Sequence, residues 1–287
     1  MKINNKMKIL VVGLGLIGGS YAKALKKKGY TVCAITKEQS SIDYALENGI
    51  IDYGTTEIDK KMIGESDIVV FALYPKVFSE WIINYQHLLK SGAMITDVTG
   101  VKQCVVWDIQ KKLRDDVEFV PAHPMAGREV YGVENSDDKI FSGANFIVVP
   151  TDKNTKEGIE LCESLGYELG FKTVTSLSPE KHDEMIAFLS QLTHAIAVSL
   201  MCCNDNTKLC EYTGDSFRDL TRIAKINENM WCELFLLNKE QLLSEMDRFI
   251  TQMTRMRTYL ADDNEKGIKD MMICSTQRRS HFDKKQN

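Results

Sequence analysis

Proline and glycine nearly disappear from the second half of the chain. None of the five prolines lies beyond Pro179, and of eighteen glycines only Gly214 and Gly267 do. A stretch of that length almost without turn-formers excludes a run of short strands and leaves long helices. Among eight cysteines there is no Cys-x-x-Cys spacing, and Cys202 and Cys203 are sequence neighbours. The expectation is therefore reduced thiols in a cytoplasmic protein, with neither a disulfide framework nor a metal site. Charge of one sign is also lacking: 36 basic against 40 acidic side chains give a net charge of −4. Nothing there favours nucleic acid or a membrane surface as partner, and a small molecule is expected instead. The first apolar run, Ile9–Gly19, is too short and too rich in glycine for a signal peptide or a membrane span.

With 287 residues, 44% of them hydrophobic, the chain has the length for two soluble domains. The change in punctuation near Pro179 places the boundary, giving 1–177 and 178–287. Before it, Lys8–Val12, Thr31–Ile35, Ile68–Leu73, Ala93–Asp97, Glu118–Ala122 and Asn145–Val149 are short apolar runs with β-branched residues. Helix-forming segments such as Ser20–Lys28 and Ser41–Glu47 lie between them. Apolar strands alternating with helices imply an α/β, Rossmann-type doubly wound, mostly parallel sheet. Beyond the boundary, amphipathic segments at roughly 180–204 and 228–261 imply an all-helical domain, opened by Pro179-Glu-Lys-His-Asp-Glu as a first helical turn. The polar tail from Ser275 reads as frayed.

Gly13-Leu-Gly15-Leu16-Ile17-Gly18-Gly19 stands between the first strand and the first helix. There the glycines permit a tight turn and let a pyrophosphate approach the helix N-terminus. The second strand ends at Thr36, where an NAD enzyme places a carboxylate for the ribose hydroxyls. Thr36-Lys37-Glu38-Gln39-Ser40-Ser41 offers a cation and hydroxyls instead, so NADP is expected over NAD. A solvated turn with Ser40 or Ser41 as helix cap is the competing explanation.

Two further segments follow strand ends, the edge where open parallel sheets bind ligands: Asp97-Val-Thr99-Gly100-Val-Lys102 and His123-Pro-Met-Ala-Gly-Arg128-Glu129. In the helical half stand Ser190-Gln-Leu-Thr-His194 and Phe217-Arg218-Asp-Leu-Thr-Arg222-Ile-Ala224. Two imidazoles and guanidinium groups near a dinucleotide suit an anionic hydroxy acid.

These five motifs, with Met230-Trp231, occur in order from about residue 8 to 260, and through them the chain resembles the prephenate dehydrogenase family. The resemblance implies a Rossmann-type domain joined to a helical domain through which two subunits dimerise. It implies an NAD(P)-dependent oxidoreductase of tyrosine biosynthesis, converting prephenate to 4-hydroxyphenylpyruvate with loss of carbon dioxide. His123 would take the proton of the ring hydroxyl, Arg222 and His194 would meet substrate carboxylates, and Ser190 would support them. Arg128, Glu129, Arg218 and Trp231 would touch substrate. Gly13, Gly15, Leu16, Ile17, Gly18, Thr36, Lys37, Ser40, Leu73 and Thr99 would line the cofactor.

The chain departs from that family twice. Family members commonly have a serine where Gly100 stands, contacting the catalytic histidine, and Thr99 is expected to supply the hydroxyl instead. Arg128 replaces a small hydroxyl residue. From its length, the chain is expected to lack the C-terminal regulatory domain many relatives carry. Two alternatives stay open: an arogenate dehydrogenase, and a non-catalytic NADP-binding redox sensor, for which His123 would be dispensable.

Overall fold

A computed structural model describes residues 2–283. Six parallel strands form the main sheet in the order β3-β2-β1-β4-β5-β6: β1 Lys8–Val12, β2 Thr31–Ile35, β3 Tyr53–Thr55, β4 Ile68–Phe71, β5 Met94–Asp97 and β6 Glu118–Phe119. Five helices lie along the same stretch: α1 Leu16–Lys27, α2 Gln39–Glu47, α3 Lys60–Glu65, α4 Pro75–Tyr85 and α5 Gln103–Lys112. Alternation within β1 explains the layering. Ile9 and Val11 pack with Tyr21, Leu25 and Ile42 of α1 and α2. Leu10 and Val12 join Ile63, Phe78, Trp81 and Val106 of α3, α4 and α5 in a second cluster. Both sides of the strand are removed from water from Ile9 to Val12, so those four residues are apolar, while Lys8 at its start stays exposed. Strand order reverses between β1 and β4, and a ligand crevice opens at their carboxyl ends.

The expected strand at Glu118–Ala122 is interrupted. After β6 the chain passes through Val120 and Pro121 into a separate three-stranded sheet of β7 Ala122–Pro124, β8 Asn145–Val148 and β9 Thr173–Ser176. There β7 runs antiparallel to β8, with His123 opposite Ile147. Pro121 has no N–H to give a ladder, while its carbonyl accepts from Val149 N at 2.8 Å. The handover between sheets therefore falls at the proline. Helix α6, Lys156–Glu168, lies between β8 and β9 and is capped by the Thr155 side chain.

In the helical half, Ser178 caps α7 (Pro179–Ile186), with proline in the first turn as expected. The long segment is not a uniform α-helix, since Ala187–Leu192 forms a π turn before α8 (Thr193–Cys202). Next come α9 (Asp215–Thr221) and α10 (Glu228–Leu237). The expected helix over 228–261 breaks at Asn238, which is buried and donates from Nδ2 to Asp183 O at 3.0 Å and Gln191 Oε1 at 2.8 Å.

By compactness the chain falls into two units, Met1–Asn238 and Lys239–Asn287. Helices α7 to α10 thus belong to the same compact unit as the Rossmann-type sheet. The second unit is a helical hairpin of α11 (Lys239–Ala261) and α12 (Glu265–Arg279). Asp263 takes φ +52° at its turn, and Asn264 caps α12. Helix α12 runs through Ser275, correcting the frayed tail expected from there; residues 284–287 lie outside those described.

Candidate active site

The glycine turn has the form a dinucleotide needs. Gly13 has φ +95°, and a Cβ on it would stand 2.4 Å from Ala72 O. A Cβ on Gly18 would stand 2.0 Å from Gly13 O, so this glycine lets the helix start close to the strand. Around a Cβ on Gly15 there is nothing within 4 Å. That open space faces the start of α1, where no side chain caps the helix. Uncapped N–H groups and a positive dipole end suit a pyrophosphate. Leu16 and Ile17 are half-buried beside it, and Leu73, two residues past the end of β4, comes within 2.9 Å of where a Gly13 Cβ would be.

At the end of β2, Thr36 is buried while Lys37 and Ser40 are exposed. Helix α2 begins at Gln39 with Glu38 at the N-cap, so neither Ser40 nor Ser41 is the cap. Thr36 Oγ1 donates to Glu38 Oε2 at 3.4 Å, which sets a carboxylate in the same turn as Lys37.

At the end of β5 is a buried charged cluster. Lys102 Nζ lies 2.6 Å from Asp97 Oδ2, both side chains being fully buried, and 3.1 Å from Thr99 Oγ1. Burial lowers the Lys102 pKa, and the Asp97 carboxylate opposes that shift. The Thr99 hydroxyl is also bonded to Asp97 and to the Val101 carbonyl. Thr99 therefore does not supply a hydroxyl to His123, because its bonding capacity is used inside this cluster. Asp97 Oδ1 accepts from Ala122 N at 3.2 Å, which anchors the residue next to His123.

The ring of His123 meets a partner absent from the expected set: its Nδ1 is 2.8 Å from His182 Nε2. His182 Nδ1 is 2.7 Å from Asp183 Oδ1. The two Asp183 oxygens accept from Lys102 N at 2.7 Å and Gln103 N at 2.8 Å, at the start of α5. Burial, then the nearby His182 and Lys102, hold the His123 pKa well below the usual imidazole value. Burial likewise lowers that of His182, against the pull of Asp183. As sequence, His182-Asp183 was indistinguishable from a charged first helical turn. The only hint was a histidine and a carboxylate one residue apart.

His194 stacks on Trp231 with ring centroids 3.7 Å apart, and its Nδ1 is 2.9 Å from Ser190 O. The π turn containing Ser190 puts that carbonyl under the ring. Burial lowers the His194 pKa, so meeting a carboxylate through Nε2 requires a proton taken up with the anion. Arg222 pairs with Glu129 at 2.6 Å, bringing together two expected residues from distant motifs. Arg128 pairs with Asp137 at 2.9 Å. Arg218 is exposed, pairs with Asp215 at 3.1 Å and donates to Thr213 O. Neither arginine is bonded to His123, His194 or Arg222.

A Rossmann-type nucleotide turn, a histidine just beyond the sheet's carboxyl edge and a helical half carrying further polar residues define a pyridine-nucleotide-dependent dehydrogenase. Two family models match in tandem: "Prephenate dehydrogenase, nucleotide-binding domain" over residues 21–175 and "Prephenate dehydrogenase, dimerization domain" over residues 178–273. The chain belongs to the prephenate dehydrogenase family. It is 31% identical over 279 residues to the prephenate dehydrogenase of Bacillus subtilis, covering 92% of this chain and 73% of that protein. It is 29% identical to the cyclohexadienyl dehydrogenase of Zymomonas mobilis, covering 89% of each. A crystal structure of the A. aeolicus prephenate dehydrogenase, in complex with hydroxyphenyl propionate and NAD+, superposes with a TM-score of 0.88 at 31% identity, covering 96% of this chain and 98% of that one.

Proposed function

We propose that this protein oxidises and decarboxylates prephenate to 4-hydroxyphenylpyruvate in tyrosine biosynthesis. The observation that carries the reading is His123, held at the sheet's carboxyl edge with one ring nitrogen engaged and the other without a protein partner among the described residues. A nicotinamide bound at the glycine turn would supply the acceptor for a hydride from the ring carbon that bears the hydroxyl. Nε2 of His123 accepts the hydroxyl proton and can return it to the phenol oxygen once carbon dioxide has left and the ring is aromatic. Arg222 holds a substrate carboxylate, exchanging its contact with Glu129 for one with the anion. His194, fixed by Trp231 and the Ser190 carbonyl, faces the same ligand, and Ser190 supports it. Arg128 and Arg218 act at the rim. In this reading residues 1–177 bind the dinucleotide and 178–287 bind substrate and dimerise; the edges of the two family models support that division.

For the cofactor the finer reading is NADP. Thr36 stands where NAD enzymes carry a carboxylate, and Lys37 follows it. Glu38 repels a phosphate, and the A. aeolicus relative was solved with NAD+, so the expected preference is small. A second substrate, arogenate, is favoured by Glu129: beside Arg222 it offers a carboxylate to an amino group on the substrate side chain.

The helical run Pro179–Cys202 is apolar and long enough to cross a membrane by length and composition alone. His182, Asp183 and Gln191 within it are buried and hydrogen-bonded to protein groups, which supports a domain core. Its exposed Phe188, Leu189 and Met201 suit a dimer face. Eight free cysteines support the cytoplasm.

The test is a spectrophotometric assay of the purified protein with prephenate and arogenate, each with NAD and NADP. Reduced nucleotide formed with prephenate supports the reading. Turnover on arogenate alone replaces it by the second reading, and nucleotide binding without turnover on either substrate returns the sensor alternative.

A further inference from the structure

A base in this reaction must present an unprotonated ring nitrogen to the substrate. A neutral imidazole has two tautomers, and only one leaves the required nitrogen bare. Bonding along a chain of three side chains chooses between them. A carboxylate can only accept, and Asp183 already takes hydrogens from Lys102 N and Gln103 N. The His182 nitrogen 2.7 Å from Asp183 Oδ1 is Nδ1, so Nδ1 carries the hydrogen. His182 is fully buried, and burial favours its neutral form. Its Nε2 is then a lone-pair acceptor, 2.8 Å from His123 Nδ1. His123 Nδ1 must donate, which leaves Nε2 of His123 bare. No other side chain competes for the ring among the described residues: Gly100 has none to offer, and the Thr99 hydroxyl belongs to Asp97 and Val101.

We propose that His182 and Asp183 are positioning residues that set the tautomer and orientation of His123, so that Nε2 faces the substrate as base. The relay is rigid at its far end, because Asp183 is bonded to the first residues of α5 and its carbonyl to Asn238. It ties the helix after Pro179 to the base on β7. The proposal rests on the role given to His123 above.

The test uses full-length protein labelled with 15N-histidine, which has only five histidines to assign. In the wild type, Nδ1 of His123 should give a pyrrole-type shift and Nε2 a pyridine-type shift. His182→Phe should average the two, and should lower kcat on the active substrate roughly 10–10²-fold, the usual effect of losing an orienting partner. The KM for nucleotide should stay within about twofold, since this partner does not touch the nucleotide turn. His182→Gln, whose amide oxygen can still accept from Nδ1, should recover most of both signals, and thermal melting reports whether each variant is folded. A wild-type His123 protonated at Nε2, or a tautomer unchanged in folded His182→Phe, overturns the proposal. If neither substrate turns over, the proposed reaction falls, while the NMR spectra still decide the relay.

Discussion

A histidine that acts as a base near neutral pH has to be unprotonated there, and His123 is kept so by burial and by its neighbours His182 and Lys102. Its folded pKa lies well below 6.5, so the active neutral form persists as pH falls through 6.5 and is lost only further down. The profile of kcat, which reports the complex already holding its anion, should accordingly stay flat through the ordinary imidazole range and fall below it; a drop centred on 6.5 would show that another group limits the reaction. His123→Asn should lower kcat by roughly 10²–10⁴-fold with nucleotide affinity intact; a variant within threefold of wild type removes His123 from the role of base. Arg222→Ala should mainly raise the KM for substrate, by about 2–5 kcal/mol in binding, because a substrate carboxylate is left without its charge-assisted partner. Steady-state kinetics measure both.

At the scale of elements, the glycine turn separates packing from binding. Gly18→Ala sets a Cβ against backbone 2.0 Å away, so β1 and α1 must move apart; both melting temperature and nucleotide affinity should fall. Gly15→Ala meets no protein atom within 4 Å, so the fold should melt as before while the methyl group occupies space needed by the pyrophosphate. Calorimetric titration with nucleotide should show at least a tenfold loss of affinity for Gly15→Ala, about 1.4 kcal/mol. Unchanged binding would mean that the turn only connects a strand to a helix. On the proposed NADP reading, Lys37→Ala should weaken NADP more than NAD, and equal effects would make Lys37 a solvated side chain.

For the whole molecule, the histidines impose a common pH dependence on stability. His123, His182 and His194 all have folded pKa values below 6.5. Below that pH the unfolded chain binds more protons than the native one, so stability is lost on acidification. The urea midpoint should be lower at pH 5.5 than at pH 7.5, and an unchanged midpoint would mean that these rings titrate alike in both states. Along α11, the exposed Leu243, Ile250, Met253 and Leu260 are spaced by seven, three and seven residues and share one helix face. A charge in that stripe should oppose dimerisation, so the wild type is expected to sediment as a dimer and Ile250→Asp as a monomer.

What the sequence determined by itself was local. The strands Lys8–Val12 and Thr31–Ile35 appear residue for residue, because a continuous apolar run between turn signals carries its own boundaries. The nucleotide turn and the proline opening of α7 were legible for the same reason: their physics lies within a few residues of chain. Tertiary structure decided what depends on distant partners. Pro121 marks the handover between sheets only because Val149 is there to take its carbonyl. Thr99, expected beside His123, is bound inside the Asp97–Lys102 cluster. His182 is 59 residues from His123, and Arg222 is 93 from Glu129. No local pattern encodes such pairings, because packing sets them when the α7 helix docks on α5 and brings a buried carboxylate and two rings into line.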